Sequence, residues 1–432
     1  MKVSLVSLGC KVNQYESESI AKRLQDNGVS VSFGLKPADI FVLNTCAVTN
    51  EAERKSRGFI AKIKKINPEA KIYICGCSAQ NSPEKFNKHN GVVVIYGTGR
   101  KMDIADIILK DNQELLGEAI RCNEISTNYE DIYLPLPSHT RAYIKIQDGC
   151  NNFCSYCLIP FLRGRSRSRS LESVRREIAH HAPSVKEVVL AGIDLSSYGV
   201  DLNPKLDLGF VADIFMEYPA LRFRFSSLEV HIISEKFLQK LSKMPNFCPH
   251  FHLSMQNGSD KVLKDMNRHY TSSEFLHSVK LIRKFFPNAA ITTDVIVGFP
   301  TEDELAFNES YETCKAANFA YIHIFPYSPR NGTNALKLKN IATNVDERVK
   351  KLTKLRDEMA LNFIKANCGK EFNLLVEGKK SGEGYATGHT ENFIKCYINQ
   401  KTESGQKISE NEVYKVKILE PYLDGALVKI VD

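Results

Sequence analysis

The 432-residue chain lacks any apolar run near the roughly 18 residues that would cross a bilayer. Its longest, such as Val188–Ile193 and Val92–Tyr96, are far shorter, so no membrane-spanning helix and no membrane partner are expected. The opening MKVSLVSLGCKVNQ has no continuous apolar core, because Ser4 and Ser7 interrupt it. That argues against a secretory leader and for a cytoplasmic location. No internal repeat or low-complexity tract is present, and the GTG at Gly97–Gly99 is too short to serve as a nucleotide loop. A large excess of one charge is also missing: 58 basic against 50 acidic side chains leave +8, which permits an anionic partner without establishing one.

What is present suits a globular chain. Hydrophobic residues make up 43% and charged residues 25%, which excludes a disordered polymer, and the length predicts about three domains at roughly 100–200 residues each. Twelve cysteines in a chain expected to stay in a reducing compartment point away from disulfides and towards metal or redox chemistry.

The expected class is α/β. Val3–Leu8, Ile40–Asn44, Ile72–Cys75 and Val92–Tyr96 read as buried parallel strands alternating with helices over Glu16–Asn27 and Ala52–Ile66. They predict an open parallel-sheet domain over residues 1–115, followed by an acidic linker with some local strand over 116–139. From 140 to 366 six further strands are expected: Ala142–Gln147, Glu187–Gly192, Arg222–Ser226, His250–Met255, Ala290–Val297 and Tyr321–Phe325. They suggest a partial or complete (β/α) barrel with its chemistry at the strands' C-terminal ends. A charged helix spans Asp346–Asn367, whose cations Arg348, Lys350, Lys351, Lys354 and Arg356 read as a solvated face. Residues 367–432, with strands Phe372–Glu377, Phe393–Ile398, Val413–Leu419 and Ala426–Val431, read as a small antiparallel OB-like barrel.

Within DGCNNFCSYC, Cys150, Cys154 and Cys157 form a CxxxCxxC loop directly after a predicted strand. Three thiolates in one loop can hold three corners of an iron–sulfur cube and leave one iron open for a ligand. A zinc site or three packed thiols are the alternatives, though no second cysteine pair follows at zinc-finger spacing. Cys10, Cys46 and Cys77 each follow a strand of the first sheet, so the fold would bring them to one crevice, with Cys77 as the exposed ligand and Cys75 a core thiol inside its strand; packed core thiols are the plain alternative for the set. His180, His181, His250 and His252 read as structural. Arg163, Arg165, Arg167 and Arg169 in RGRSRSRS are candidates for phosphate contact, with a solvated arginine segment as the plain alternative. The terminal domain has nine lysines and ten acidic residues, so it lacks a strongly basic RNA footprint; Tyr385, Phe393 and Tyr397 are stacking candidates or core aromatics.

Six segments together resemble the methylthiotransferase family of radical S-adenosylmethionine enzymes over essentially the whole chain. They are SLGCKVNQYESE from Ser7, NTCAVT from Asn44, GCSAQ from Gly76, IKIQDGCNNFCSYCLIPFLRGRSRSR from Ile144, GFPTED from Gly298 and FPYSPRNGT from Phe325. Ser166 and Asn331 depart from residues more usual in that pattern. The resemblance implies two [4Fe-4S] clusters, one on Cys150, Cys154 and Cys157 that binds S-adenosylmethionine, and an auxiliary one on Cys10, Cys46 and Cys77 that supplies sulfur. It implies a 5′-deoxyadenosyl radical that abstracts hydrogen from carbon 2 of an adenine. Tyr156 and Gly192, the latter in AGIDLSSYG, are the implied cofactor contacts, while Glu229 and Gln256 lie at barrel-strand ends where cofactor or substrate contacts are expected, with structural hydrogen bonding as an equal alternative; no catalytic residue is assigned beyond the clusters, and Arg268 and Tyr270 of DMNRHYT are left without a role. The terminal barrel resembles a TRAM domain, which implies tRNA as partner, and an electron donor such as flavodoxin or ferredoxin and a sulfur source are implied as well. GCKVNQ is more similar to the branch acting on threonylcarbamoyladenosine than to those acting on isopentenyladenosine or a ribosomal protein. A non-catalytic iron–sulfur or zinc protein that binds RNA is the competing class.

Overall fold

The computed structural model describes residues 1–110, 120–122, 125–131, 134, 135, 137, 140–378, 384–399 and 407–431. The first layer is a wholly parallel sheet ordered Ser30–Phe33, Lys2–Ser7, Ile40–Thr45, Lys71–Gly76, Val92–Tyr96, Ile120–Arg121. Its central strands are β-branched and apolar, as strands covered by helices on both faces must be, and a separate apolar core lies on each side. The edge strand Ser30–Phe33 is an addition to the expected set, and Ile120–Arg121 is a local strand within the stretch expected as a linker. Part of the stretch expected as a linker, including 116–119, 123–124 and 138–139, lies outside the described residues.

The six expected barrel strands all form. Arg141–Lys145, Glu187–Ala191 and Arg222–Phe225 make one parallel sheet; Ser227–Leu228, His250–Leu253, Ala290–Val297 and Tyr321–Pro326 make another. The two join where the third strand is interrupted at Ser226. Among the described residues Arg141–Lys145 does not pair with Tyr321–Pro326, so the barrel is partial and open along that side. One large apolar core fills the space between the strands and their helices.

Helix Val345–Asn367 lies along the last barrel strand and leads into a closed barrel of Glu371–Val376, Tyr385–Thr390, Lys395–Asn399, Gly425–Ile430 and Val413–Tyr422. Its pairings are antiparallel except the closing pair Lys395–Asn399 with Gly425–Ile430, which is parallel. The charged helix is not uniformly solvated: Arg348 is buried and paired with Glu302. No helix among the described residues is long and apolar enough to cross a membrane.

Candidate active site

The CxxxCxxC loop leaves the first barrel strand through Gly149, whose φ of +72° permits the turn; a Cβ there would fall 2.0 Å from the Arg165 carbonyl oxygen. The loop then aims backbone amides at its own sulfurs. Asn152 N–H reaches Cys150 Sγ and Ile159 N–H reaches Cys157 Sγ, each at 3.4 Å. Arg268 Nη1 donates to Cys154 Sγ at 3.4 Å. Burial pushes the Cys157 thiol up to about 12, and Cys154 and Cys77 act in the same direction. Soft sulfurs facing amide and guanidinium donors in a dry pocket are a poor home for free thiols and a good one for an iron–sulfur group.

The N-terminal set converges as the sheet order requires. Its order is the doubly wound 2-1-3-4-5 arrangement, and Cys10 and Cys46 flank the point where the chain reverses direction, between Lys2–Ser7 and Ile40–Thr45. Gly9, at φ +94°, brings these strand ends together: a Cβ on it would lie 2.7 Å from Cys46 Sγ. Cys77 opens the short helix after Lys71–Gly76, while Cys75 is fully buried in that strand. Burial pushes Cys46 up to about 11, with Cys77 and Cys10 adding to the effect. Ala47, Cys77, Leu158 and Leu162 form one apolar cluster, so the two cysteine sets meet across a dry partition.

The arginine string does not face solvent. Arg167–Ser168 pairs antiparallel with Gln147–Asp148, which folds the string back against the root of the cysteine loop. Arg163 is 0% exposed; it donates to Cys77 Sγ at 3.4 Å, Glu16 and Asp148 at 3.0 Å and Asn13 Oδ1 at 2.8 Å. Arg167 (6% exposed) pairs with Asp148, and Arg169 (2% exposed) pairs with Glu177 and Asp131. Phosphate contact by these three is therefore corrected to structural ion pairing. Arg165 alone of the four is exposed, its guanidinium 4.4 Å from the Phe153 ring centroid.

Of the implied cofactor contacts, Gly192 sits where a Cβ would lie 2.8 Å from Gln147 Oε1. Glu229 forms an ion pair with Arg268, and its amide donates to Ser196 Oγ at 2.8 Å. Gln256 holds a left-handed φ of +64° while bridging to Val295. Tyr156 packs against the apolar cluster of Val262, Met266 and Phe299. Two residues enter that sequence reasoning left without a role. Arg268 links Cys154 to Glu229, and DMNRHYT was the signal for it; Asp194 lies 3.7 Å from Cys150 Sγ with Oδ1 buried and unpartnered. Asp194 lies in the AGIDLSSYG stretch that supplied Gly192, two residues further on, and that stretch was the signal for it.

A cavity of about 720 Å³ fills the barrel's open side. Cys10 and Lys11 reach it from the first sheet, Arg224 and His252 from the barrel strands, Phe363 from the long helix and Phe393 from the terminal barrel. His250 and His252 each hold Thr292 Oγ1 at 3.0 Å, a structural bond, yet both also line this space.

Comparison with known proteins agrees with this arrangement. Residues 2–97 match the uncharacterized protein family UPF0004 and residues 144–314 the radical SAM superfamily. The chain is 34% identical to threonylcarbamoyladenosine tRNA methylthiotransferase MtaB of Bacillus subtilis, covering 100% of this chain and 97% of the relative. It is 33% identical to tRNA-2-methylthio-N(6)-dimethylallyladenosine synthase of Clostridium tetani, covering 96% and 94%. Among solved structures, the radical S-adenosylmethionine methyltransferase TsrM from Kitasatospora setae shares the fold at TM-score 0.53 and 13% identity, over 89% of this chain and 80% of that one. Similarity that runs the whole length of the Bacillus enzyme places this chain in the radical SAM methylthiotransferase family, as an enzyme of the MtaB type.

Proposed function

We propose that this enzyme methylthiolates carbon 2 of N6-threonylcarbamoyladenosine at position 37 of tRNA. The observation that carries the reading is the meeting of two three-cysteine sets across one apolar partition, beside a cavity that Cys10 lines. Cys150, Cys154 and Cys157 would hold the [4Fe-4S] cluster that takes S-adenosylmethionine, and Cys10, Cys46 and Cys77 the auxiliary [4Fe-4S] cluster. When bound, these groups supply one-electron chemistry and sulfur at a carbon inert to acid–base reaction.

The chain's own residues do the positioning. Arg268 ties Cys154 to Glu229 and so fixes the loop against the barrel's C-terminal rim. The orphaned Oδ1 of Asp194, whose other oxygen lies beside Cys150, is an acceptor suited to an ammonium group, with Gly192 two residues before it in the chain. Ala47, Leu158 and Leu162 keep water from between the two sets. The base would enter through the open side of the barrel, and exposed Arg165 together with the terminal TRAM-like barrel would contact the tRNA. A flavodoxin- or ferredoxin-type electron donor and a sulfur source complete the reaction in the cytoplasm.

The test is reconstitution without oxygen, followed by reaction with S-adenosylmethionine, reductant and tRNA bearing threonylcarbamoyladenosine. Roughly eight irons per chain and a methylthio nucleoside in the digest are expected. Cys154→Ala should abolish cofactor cleavage, whereas Cys46→Ala should spare cleavage and stop thiolation. Zinc without sulfide, or normal thiolation by Cys46→Ala, would overturn the assignment. The similarity to the Clostridium enzyme supports a second reading, the same chemistry on isopentenyladenosine, which the same digest would reveal.

A further inference from the structure

The cavity carries positive charge that its own acids do not match. Lys395 is held by Asp424, Arg141 by Glu187 and Glu377, and Asp294 has His252 at 3.5 Å. Arg224 only shares Glu187 with Arg141 and Arg222, and Lys11 has no ion pair among the described residues. Arg224 is 3% exposed and donates only its Nε, to Glu187 at 3.2 Å. Glu187 is already engaged by Arg141 and Arg222. Both terminal nitrogens of Arg224 are buried with no hydrogen-bond partner among the described residues, although the residue lines the cavity.

Leaving two guanidinium donors buried and unmatched is costly, and proteins rarely retain such a group without a ligand for it. The fork is also held in place, its carbon 4.7 Å from the Phe393 ring centroid. His250 stacks on the same ring at 4.5 Å with its Nδ1 likewise unpartnered. Lys11, which forms no ion pair among the described residues, faces the same space one residue from Cys10. A rigid, desolvated, two-pronged donor with a second cation nearby suits a carboxylate, which accepts both prongs at once.

We propose that Arg224, assisted by Lys11, binds the carboxylate of the threonyl arm and so selects the substrate. This rests on the function proposed above. An isopentenyl arm has no anion and would leave the fork stranded, which disfavours it by the logic of an unpaired buried donor.

The experiment titrates the full-length reconstituted protein with an anticodon stem-loop carrying threonylcarbamoyladenosine, and with the same RNA whose arm is a methyl ester. The free acid should bind roughly 10- to 150-fold more tightly, as expected for hydrogen bonds to a charged group. In Arg224→Gln that ratio should collapse towards one, and Arg224→Lys should retain part of it; a merely structural role would weaken both RNAs alike and leave the ratio intact. Equal binding of acid and ester by the unaltered protein overturns the proposal, and this comparison stands even if Arg224→Gln fails to fold. Methylthiolation of the threonylcarbamoyl substrate alongside such equality would leave the proposed function standing. Conversion of isopentenyladenosine alone would remove both.

Discussion

Arg163 has no contact with water, and every polar direction of its guanidinium meets a partner: Cys77, Glu16, Asp148 or Asn13. A buried cation is tolerated on those terms, and removing it breaks the network at the donor that Glu16 and Asp148 share, leaving them Lys101, Lys145 and Arg167. Arg163→Gln is expected to lower stability by about 3–5 kcal/mol, read as a fall in thermal midpoint together with loss of bound iron. Arg165→Ala should behave differently, leaving the midpoint in place while reducing the salt slope of tRNA binding by about 0.7–0.9, one phosphate's share. The same cluster sets an acid limit. Burial works to raise Glu16 and Asp148, but Arg163 and its neighbouring lysines outweigh it and hold both carboxyls well below their ordinary range. Carboxyls depressed in the folded state stabilise it above their unfolded pKa of roughly 4, and that contribution is lost as pH falls through the folded values. Thermal midpoints measured from pH 7 down to pH 3 should therefore fall, and Asp148→Asn should flatten the dependence.

At the scale of the element, Gly9 ends one strand so that the next strand's cysteine can pack on its backbone. Gly9→Ala is expected to cost about 1–3 kcal/mol from the left-handed φ alone, and to displace Cys46, with lower iron content in the reconstituted protein as the readout. Strands such as Ile40–Thr45 and Val92–Tyr96 were legible because a parallel strand covered on both faces is a nearly continuous apolar run. Ser30–Phe33 was not, being four residues at a sheet edge with half-exposed side chains. The cysteine loop was legible because its ligand spacing is local. The arginine string misled for the opposite reason: of the two acids that pair with Arg163, Asp148 lies 15 residues away and Glu16 147, so nothing within the string distinguished it from a solvated run. The cavity had a fainter signal in RFRF and HFHL, where arginine or histidine alternates with apolar residues in strands of a barrel interior.

Across the whole molecule, the three parts are tied by an apolar partition at the cysteine sets and by buried polar contacts around Glu16 and Arg163, and by further polar contacts away from them. Arg330 of the barrel reaches Asn50 at 2.5 Å and Glu53 at 2.7 Å on the first sheet's helix. Arg141 pairs with Glu377, and Arg222 donates to the Asn373 carbonyl at 2.8 Å, on the terminal barrel. Arg330→Ala should therefore loosen the first domain without unfolding the second, seen as faster amide exchange in helix Asn50–Ile66 while strands Glu187–Ala191 and Ala290–Val297 remain protected.

Phe393 stands between His250 and His389, at 4.5 and 4.6 Å, under the Arg224 guanidinium. A side chain whose sequence position suggested either a stacking platform or a core aromatic is thus part of the wall of the cavity. A chain cut before Glu371 would lose that wall, and bulk solvent would enter the cavity proposed to admit the base. Such a chain should become wasteful, consuming more S-adenosylmethionine for each base it modifies.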